Sequence, residues 1–223
     1  GAKEKIYRYN KNLKIDIKNL ISKIDQTTKL IIISNPGHNG LLLKKDDIIK
    51  VIKNALINNC LVVIDEAYID FTKKESLTGL IKQFENLIVL RTMSKAYGIA
   101  ALRVGYLLSQ KENIKNLYKV KPVYEISGLS SKIATYLINN QSIKNEYVKA
   151  ISTSKLFLID FFEKHNIDYL QSETNFIYFN IDNRNDELYK FLKERDIFIK
   201  KAPDVPPFSK YLRLTVGNNE QLL

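Results

Sequence analysis

Leu87-Ile-Val-Leu90 runs into Arg91-Thr-Met-Ser-Lys95, an apolar stretch that ends in a polar turn carrying a lysine. Two similar runs precede it, Leu30-Ile-Ile-Ile33 and Leu61-Val-Val-Ile64, and Val104-Gly-Tyr-Leu-Leu108 follows. These runs are rich in β-branched residues, lack polar alternation and are bounded by turn residues, the pattern of strands buried on both faces. Residues 46–59 put Ile48, Ile49, Ile52, Ala55 and Leu56 on one helical face, with Asp46 or Asp47 as the cap. Strand–helix–strand repetition predicts an α/β fold, a mostly parallel sheet sandwiched by helices. In such sheets ligands gather beyond the carboxyl ends of the strands. Asn35, Asp65, Ser94 and Lys95 all fall at such ends.

The pattern changes after about Tyr124. Residues 128–140 and 145–165 read as helices, 175–180 as a strand, the stretch near 187–195 as a helix, and 197–199 and 211–216 as strands. Residues 201–209, with three prolines, read as a loop. Two domains are expected, one over 1–127 and a smaller α/β domain over 128–223. The last residues, 218–223, read as a helix that has only begun, so the chain has the look of a fragment.

With 223 residues and 45% hydrophobic content, the chain matches an ordinary globular protein with a sizeable core. No apolar run is long enough to span a bilayer, and no charged-then-apolar signal opens the sequence. The single cysteine, Cys60, excludes an intramolecular disulfide and reads as a buried, inert thiol. A reducing cytoplasm fits that usage. The net charge of +11 does not argue for nucleic acid: basic residues are scattered among 24 acids, and only six of the 35 are arginine. A lysine-rich solvated surface accounts for it and is compatible with small anionic ligands. No metal site is read from the sequence.

Four clusters at strand ends can carry chemistry. Asn35-Pro-Gly-His-Asn-Gly40 is by itself a polar turn. Asp65-Glu-Ala-Tyr68 ends a buried strand in a carboxylate, which is costly unless paired; a helix cap or a protonated pyridine nitrogen would serve. Ser94 and Lys95 precede Arg103; a lysine amine can form a Schiff base with an aldehyde cofactor, and serine and arginine suit its phosphate. Arg213 stands inside the apolar strand Tyr211-Leu-Arg-Leu-Thr-Val216 and needs an anionic partner, from a structural salt bridge or from a substrate.

Asp65-Glu-Ala-Tyr-Ile-Asp-Phe71, Ser94-Lys-Ala-Tyr-Gly-Ile-Ala-Ala-Leu-Arg-Val-Gly-Tyr106, Glu173-Thr-Asn-Phe176 and Leu212-Arg-Leu-Thr-Val-Gly217 follow one another in a familiar order. The chain resembles the fold-type I, pyridoxal-phosphate-dependent class I/II aminotransferases, most closely the histidinol-phosphate aminotransferase branch. The resemblance implies pyridoxal 5'-phosphate bound to Lys95, with Lys95 also moving the substrate proton. It implies Asp65 on the pyridinium nitrogen, Tyr68 on the phenolic oxygen, and Ser94 and Arg103 on the cofactor phosphate. Arg213, Tyr124, Asn175 and Lys200 would face the substrate, a phosphorylated or otherwise anionic amino compound. A homodimer is implied as well.

The sequence departs from the family in three places. The family writes Asn-Pro-Asn-Asn-Pro-Thr-Gly where this chain has Asn35-Pro-Gly-His-Asn-Gly40. Counting from Pro36 gives His38 as the residue at the phenolic oxygen, while chemistry favours Asn39. Glu125 follows Tyr124 where the family has asparagine, and Lys200 stands for an arginine, losing two-point recognition. Family members also extend further at the N-terminus, with a phosphate loop, an aromatic over the cofactor and a tyrosine for the partner subunit. Without that part the chain is expected to be inactive. An amino-acid phosphate decarboxylase on the same fold, for threonine or serine phosphate, and an inactive subunit with this fold are the alternatives.

Overall fold

The computed structural model of the protein describes residues 2–10, 12–203, 206 and 208–218. The first sheet contains β1 (Leu30–Ser34), β2 (Leu61–Asp65), β3 (Leu87–Thr92) and β4 (Gly105–Ser109), in that order across the sheet. β1, β2 and β3 are parallel and β4 is antiparallel to β3. The fold is therefore α/β with a mostly parallel sheet, as the apolar runs predicted.

Helix α1 (Ile17–Ser22) starts at Asp16, whose side chain accepts from the Asn19 N–H. Helix α2 (Lys45–Ile57) buries Ile48, Val51, Ile52 and Ala55 against Ile33, Val62, Ile64, Leu87 and Val89 of the sheet. Neither Asp46 nor Asp47 caps it. Lys44 holds the cap position without a side-chain bond, and both carboxylates lie in the first turn, where the positive end of the helix dipole favours them.

The expectation of strands buried on both faces is corrected at β1 and β2. Leu30, Ile32 and Leu61 are exposed, Ile32 at 66%. The cluster formed with α1, α2 and the 77–84 segment contains the opposite side chains, Ile31, Ile33, Val62 and Ile64. Successive side chains along a strand point to opposite faces, so covering one face leaves the other row in contact with solvent. Cys60 is buried in the covered core, and burial pushes its thiol pKa up, consistent with an inert group.

Beyond β4 come α3 (Lys111–Tyr118), α4 (Gly128–Asn139) and α5 (Gln141–Lys164). α3 was not anticipated, and α5 starts before the expected residue 145. Ala134 and Leu137 of α4 pack against Met93 and Val104 beside the first sheet. The second sheet runs β5 (Asp168–Leu170), β6 (Phe176–Asn180), β8 (Leu212–Thr215), β7 (Lys200–Lys201) and is antiparallel throughout. Helix α6 (Asn185–Lys193) lies between β6 and β7 in the chain.

β6 is buried at all five positions. Ile177 and Phe179 meet Phe162 of α5 on one face, while Phe176 and Tyr178 join Tyr68, Phe71 and Ala96 of the first unit on the other. The strand expected at 197–199 is instead irregular, with Ile197 and Phe198 exposed and the pairing displaced to β7. Of the helix expected over 218–223, residues 219–223 lie outside the described ones. Among the described residues no helix is long and apolar enough to cross a membrane.

A buried ionic network ties these layers together. Arg91 on β3 contacts Asp70 at 2.8 Å and Glu66 at 3.5 Å, and Lys144 of α5 reaches Asp70 at 3.0 Å. Glu66 also accepts from the Ser76 hydroxyl and the Leu77 N–H, each at 2.6 Å. Burial raises the Glu66 pKa, against those bonds and the Arg91 charge. Arg91→Met leaves two buried carboxylates short of a cation. Urea unfolding should show a loss of about 3–5 kcal/mol; an unchanged midpoint would contradict the network's role.

Candidate active site

The in-register parallel strands bring three chain segments to one edge. Ser34 pairs with Asp65 and Asp65 with Leu90, so the strand ends are level. Past them lie the 35–40 loop, the turn that begins at Asp65, and the turn carrying Lys95. The Asn35 N–H donates to the Asp65 carbonyl at 2.8 Å, and the Asp65 side chain accepts from the Ala67 N–H at 3.0 Å.

The ammonium of Lys95 stands 5.6 Å from the centre of the Tyr68 ring. The same ring meets His38 edge-on at 5.9 Å and Phe176 at 5.4 Å. Tyr68 is buried, and that burial raises its phenol pKa, with Arg213 opposing and Asp65 reinforcing the change. Arg213 projects from β8 over the Phe176 ring at 4.8 Å, and its buried Nε has no hydrogen-bond partner among the described residues. Asp65, Lys95 and Arg213 form no ion pair among those residues. Thus a carboxylate, two cations and a buried phenol gather with their charges uncommitted to one another.

The 35–40 loop is held from several sides. The Tyr178 hydroxyl donates to the His38 carbonyl at 2.9 Å. The Glu173 N–H donates to the Gly40 carbonyl at 2.7 Å. Beneath that contact Lys155 of α5 donates to the carbonyls of Ser172 and Thr174, and its burial depresses the ammonium pKa. Gly40 has φ +80°, and a Cβ there would stand 2.7 Å from the Ser172 hydroxyl. Asn39 is buried; its Oδ1 accepts from the Leu41 N–H, while its Nδ2 finds no partner among the described residues.

The other candidate residues divide into two groups. Asn175 is buried beside Phe176, and its carbonyl accepts from the Val216 N–H. Lys200 is exposed on β7, directly across from Arg213 in the register. The Ser94 N–H donates to the Thr92 hydroxyl in the lysine turn. Among the described residues neither Arg103 nor Tyr124 bonds to this group, although Arg103 lies beside the lysine turn, where the Val104 carbonyl accepts from the Met93 N–H at 3.1 Å. Arg103 is exposed, donates to the Ala100 carbonyl, and lines an open cavity of about 940 Å³ with Tyr124, Glu125 and Arg91. Tyr124 is 96% exposed, and Glu125 pairs with Lys121 at 3.1 Å.

Phe176, Tyr178 and Lys155 escaped the sequence reading as contributors to this site. Phe176 and Tyr178 alternate along a strand and so share a face, the signal that could have found them. Lys155 gave no local signal, because only the folded chain brings α5 beneath the 172–174 turn. Among the described residues no group of histidine, cysteine and carboxylate side chains is arranged to hold a metal.

The sequence profile of the family described as aminotransferase class I and II matches residues 1–223. The chain belongs to that family. It is 33% identical over 222 residues to the histidinol-phosphate aminotransferase of Caldanaerobacter subterraneus, covering 99% of this chain and 62% of that one. The chain thus spans about three-fifths of the length of the curated relatives it matches. Among solved structures, the histidinol-phosphate aminotransferase of Clostridium acetobutylicum matches with TM-score 0.85 and 25% identity, covering 95% of this chain and 66% of that one. The L-threonine-O-3-phosphate decarboxylase of Porphyromonas gingivalis shares the fold, with TM-score 0.73 and 22% identity over 90% of this chain and 63% of that one.

Two outcomes follow from the loop geometry. Gly40→Ala forces a side chain into a left-handed conformation against Ser172, and urea unfolding should show a loss of about 1–3 kcal/mol. His38 is exposed on one side, but partial desolvation of its ring, then the charge of Arg213, lowers its pKa, so the native state binds fewer protons here than the unfolded chain. Stability should therefore fall as pH drops through the ordinary imidazole pKa of 6.5. His38→Gln should flatten that part of the pH–stability curve; an unaltered slope would show that His38 titrates as it does in the unfolded chain.

Proposed function

We propose that the protein is a pyridoxal-phosphate-dependent aminotransferase of the histidinol-phosphate type, acting on a phosphorylated or otherwise anionic amino compound. The observation that carries this reading is the cluster of Lys95, Tyr68, His38 and Asp65 past the ends of the parallel strands, with Arg213 of β8 facing it. The donor set fits the cofactor. It offers an amine for an aldehyde, a carboxylate for a ring nitrogen, and two orphaned buried donors, Asn39 Nδ2 and Arg213 Nε, for acceptor oxygens.

Bound there, pyridoxal phosphate supplies an aldehyde that condenses with amines and a ring that stabilises a carbanion. Lys95 would hold the cofactor through its amine and carry the substrate proton on Nζ. Asp65 would face the ring nitrogen. Tyr68, with His38 or Asn39, would hydrogen-bond the phenolic oxygen, and Ser94 and Arg103 would take the phosphate. Arg213 and Lys200 bind the anionic end of the substrate, with Asn175 and Tyr124 as further contacts. The 1–127 region is assigned as part of the cofactor-binding domain and 128–223 as the smaller domain. A cytoplasmic homodimer is part of the same reading, supported by the exposed apolar side chains Val120, Val123 and Tyr124.

An amino-acid phosphate decarboxylase is the second reading. Glu125 favours it, because a carboxylate lines the same cavity as Arg103 and Tyr124 and alters the charge offered to a substrate phosphate.

Borohydride reduction in the presence of pyridoxal phosphate should attach the cofactor to Lys95, as read by peptide mapping. Lys95→Ala should lower turnover by at least about 100-fold while leaving the fold intact by circular dichroism. Amino transfer that requires a keto acid supports the first reading, and carbon dioxide release without one supports the second. An unlabelled Lys95 contradicts both.

A further inference from the structure

Four charged side chains from separate elements act on His38, whose imidazole is the group with an ordinary pKa near neutrality. Its position is fixed twice: the Tyr178 hydroxyl holds its carbonyl, and the Tyr68 ring meets its imidazole edge-on. The charges that act on it are Lys95 from the turn after β3, Arg213 on β8, Lys200 on β7 and Asp65 at the end of β2. Three of these are cations and one is an anion. The phenols that touch His38 are Tyr68 and Tyr178, while the Tyr9 hydroxyl lies beside the neighbouring Gly37, 2.9 Å from where a Cβ there would stand.

We propose that His38 takes up a proton when an anionic substrate group settles against Arg213 and Lys200. This rests on the reading of Arg213 as the substrate's anion site. Arg213 has no ion-paired carboxylate among the described residues, and its buried Nε is unpaired there, so three cations face one anion, Asp65. His38 is open to solvent on one side; partial desolvation of its ring comes first and Arg213 second among the causes that lower the imidazole pKa, with Lys95 and Lys200 adding to them and Asp65 opposing. An anion seated on Arg213 and Lys200 cancels two of the repelling charges and adds an attractive one. The proton comes from solvent and lands on the free ring nitrogen, so binding of a dianionic phosphate is accompanied by net proton uptake. A monocarboxylate substrate offers less charge and draws the proton less strongly. His38 therefore makes the charge of the substrate, as well as its shape, a determinant of the site's protonation. An asparagine at this position could not respond in this way.

The chain has only two histidines, which makes the test direct. His165 lies exposed at the end of α5, where its Nδ1 contacts the Phe161 carbonyl, and serves as the internal reference. The imidazole Cε1 protons are titrated by NMR in the protein as purified, with and without inorganic phosphate, and His38→Asn assigns the signals. Calorimetry in two buffers of different ionisation heat measures binding and proton uptake together. The expected result is an upward shift of the His38 midpoint with phosphate, no shift for His165, and loss of the response in Arg213→Gln. His38→Gln should still bind phosphate but without proton uptake. Phosphate binding with an unmoved His38 midpoint, or a response that survives Arg213→Gln, overturns the proposal and leaves the anion-site reading standing. Absence of phosphate binding to the unaltered protein overturns both.

Discussion

Three parallel strands end level with one another, and the rest of the site depends on that registration. The pairing of Ser34 with Asp65 and of Asp65 with Leu90 means that the residues just past each strand emerge on one edge. A carboxylate, a loop with a histidine and a turn with a lysine therefore share a neighbourhood although the sequence separates them widely. A register slip of one residue would turn Asp65 to the opposite face of the sheet. The Arg91 network protects this register from below: it links β3 to the turn after β2 and, through Lys144, to α5.

The second sheet completes the site by the same two-residue alternation. In β6, Ile177 and Phe179 anchor the strand to α5, which frees Phe176 and Tyr178 to form the wall against Tyr68. Arg213 pairs with Tyr178 on one side and Lys200 on the other, so the antiparallel register itself sets the cations next to the 35–40 loop. Placing an arginine there carries a desolvation cost with no carboxylate to offset it. That cost is what the anion-binding role proposed for Arg213 would offset.

Most of the fold was legible in the sequence. The apolar runs 30–33, 61–64 and 87–90 became β1, β2 and β3, and the period of residues 46–59 became α2, because long regular patterns leave few alternatives. Short elements were not legible. α1 and β5 are too brief for a period to show, and the 197–199 segment has strand composition but no neighbour to pair with. The cap of α2 was misassigned because acidic residues serve the first turn as well as the cap. At the site, Asp65 and Arg213 were visible as charges at odds with their apolar surroundings, and Lys95 as a lysine in a polar turn at a strand end. Tyr178 could be found only through its alternation with Phe176, and Lys155 acts through carbonyls 17 and 19 residues away, so no local pattern marks it. The cavity that Arg103 and Tyr124 share likewise depends on the course of the folded chain between β3 and α4.

The central claim is that this edge is built around the amine of Lys95. A visible-absorption titration with pyridoxal phosphate tests it most directly. The account predicts a saturable band distinct from that of the free cofactor, present in the unaltered protein and absent in Lys95→Ala. The same band in both proteins, or in neither, would contradict it.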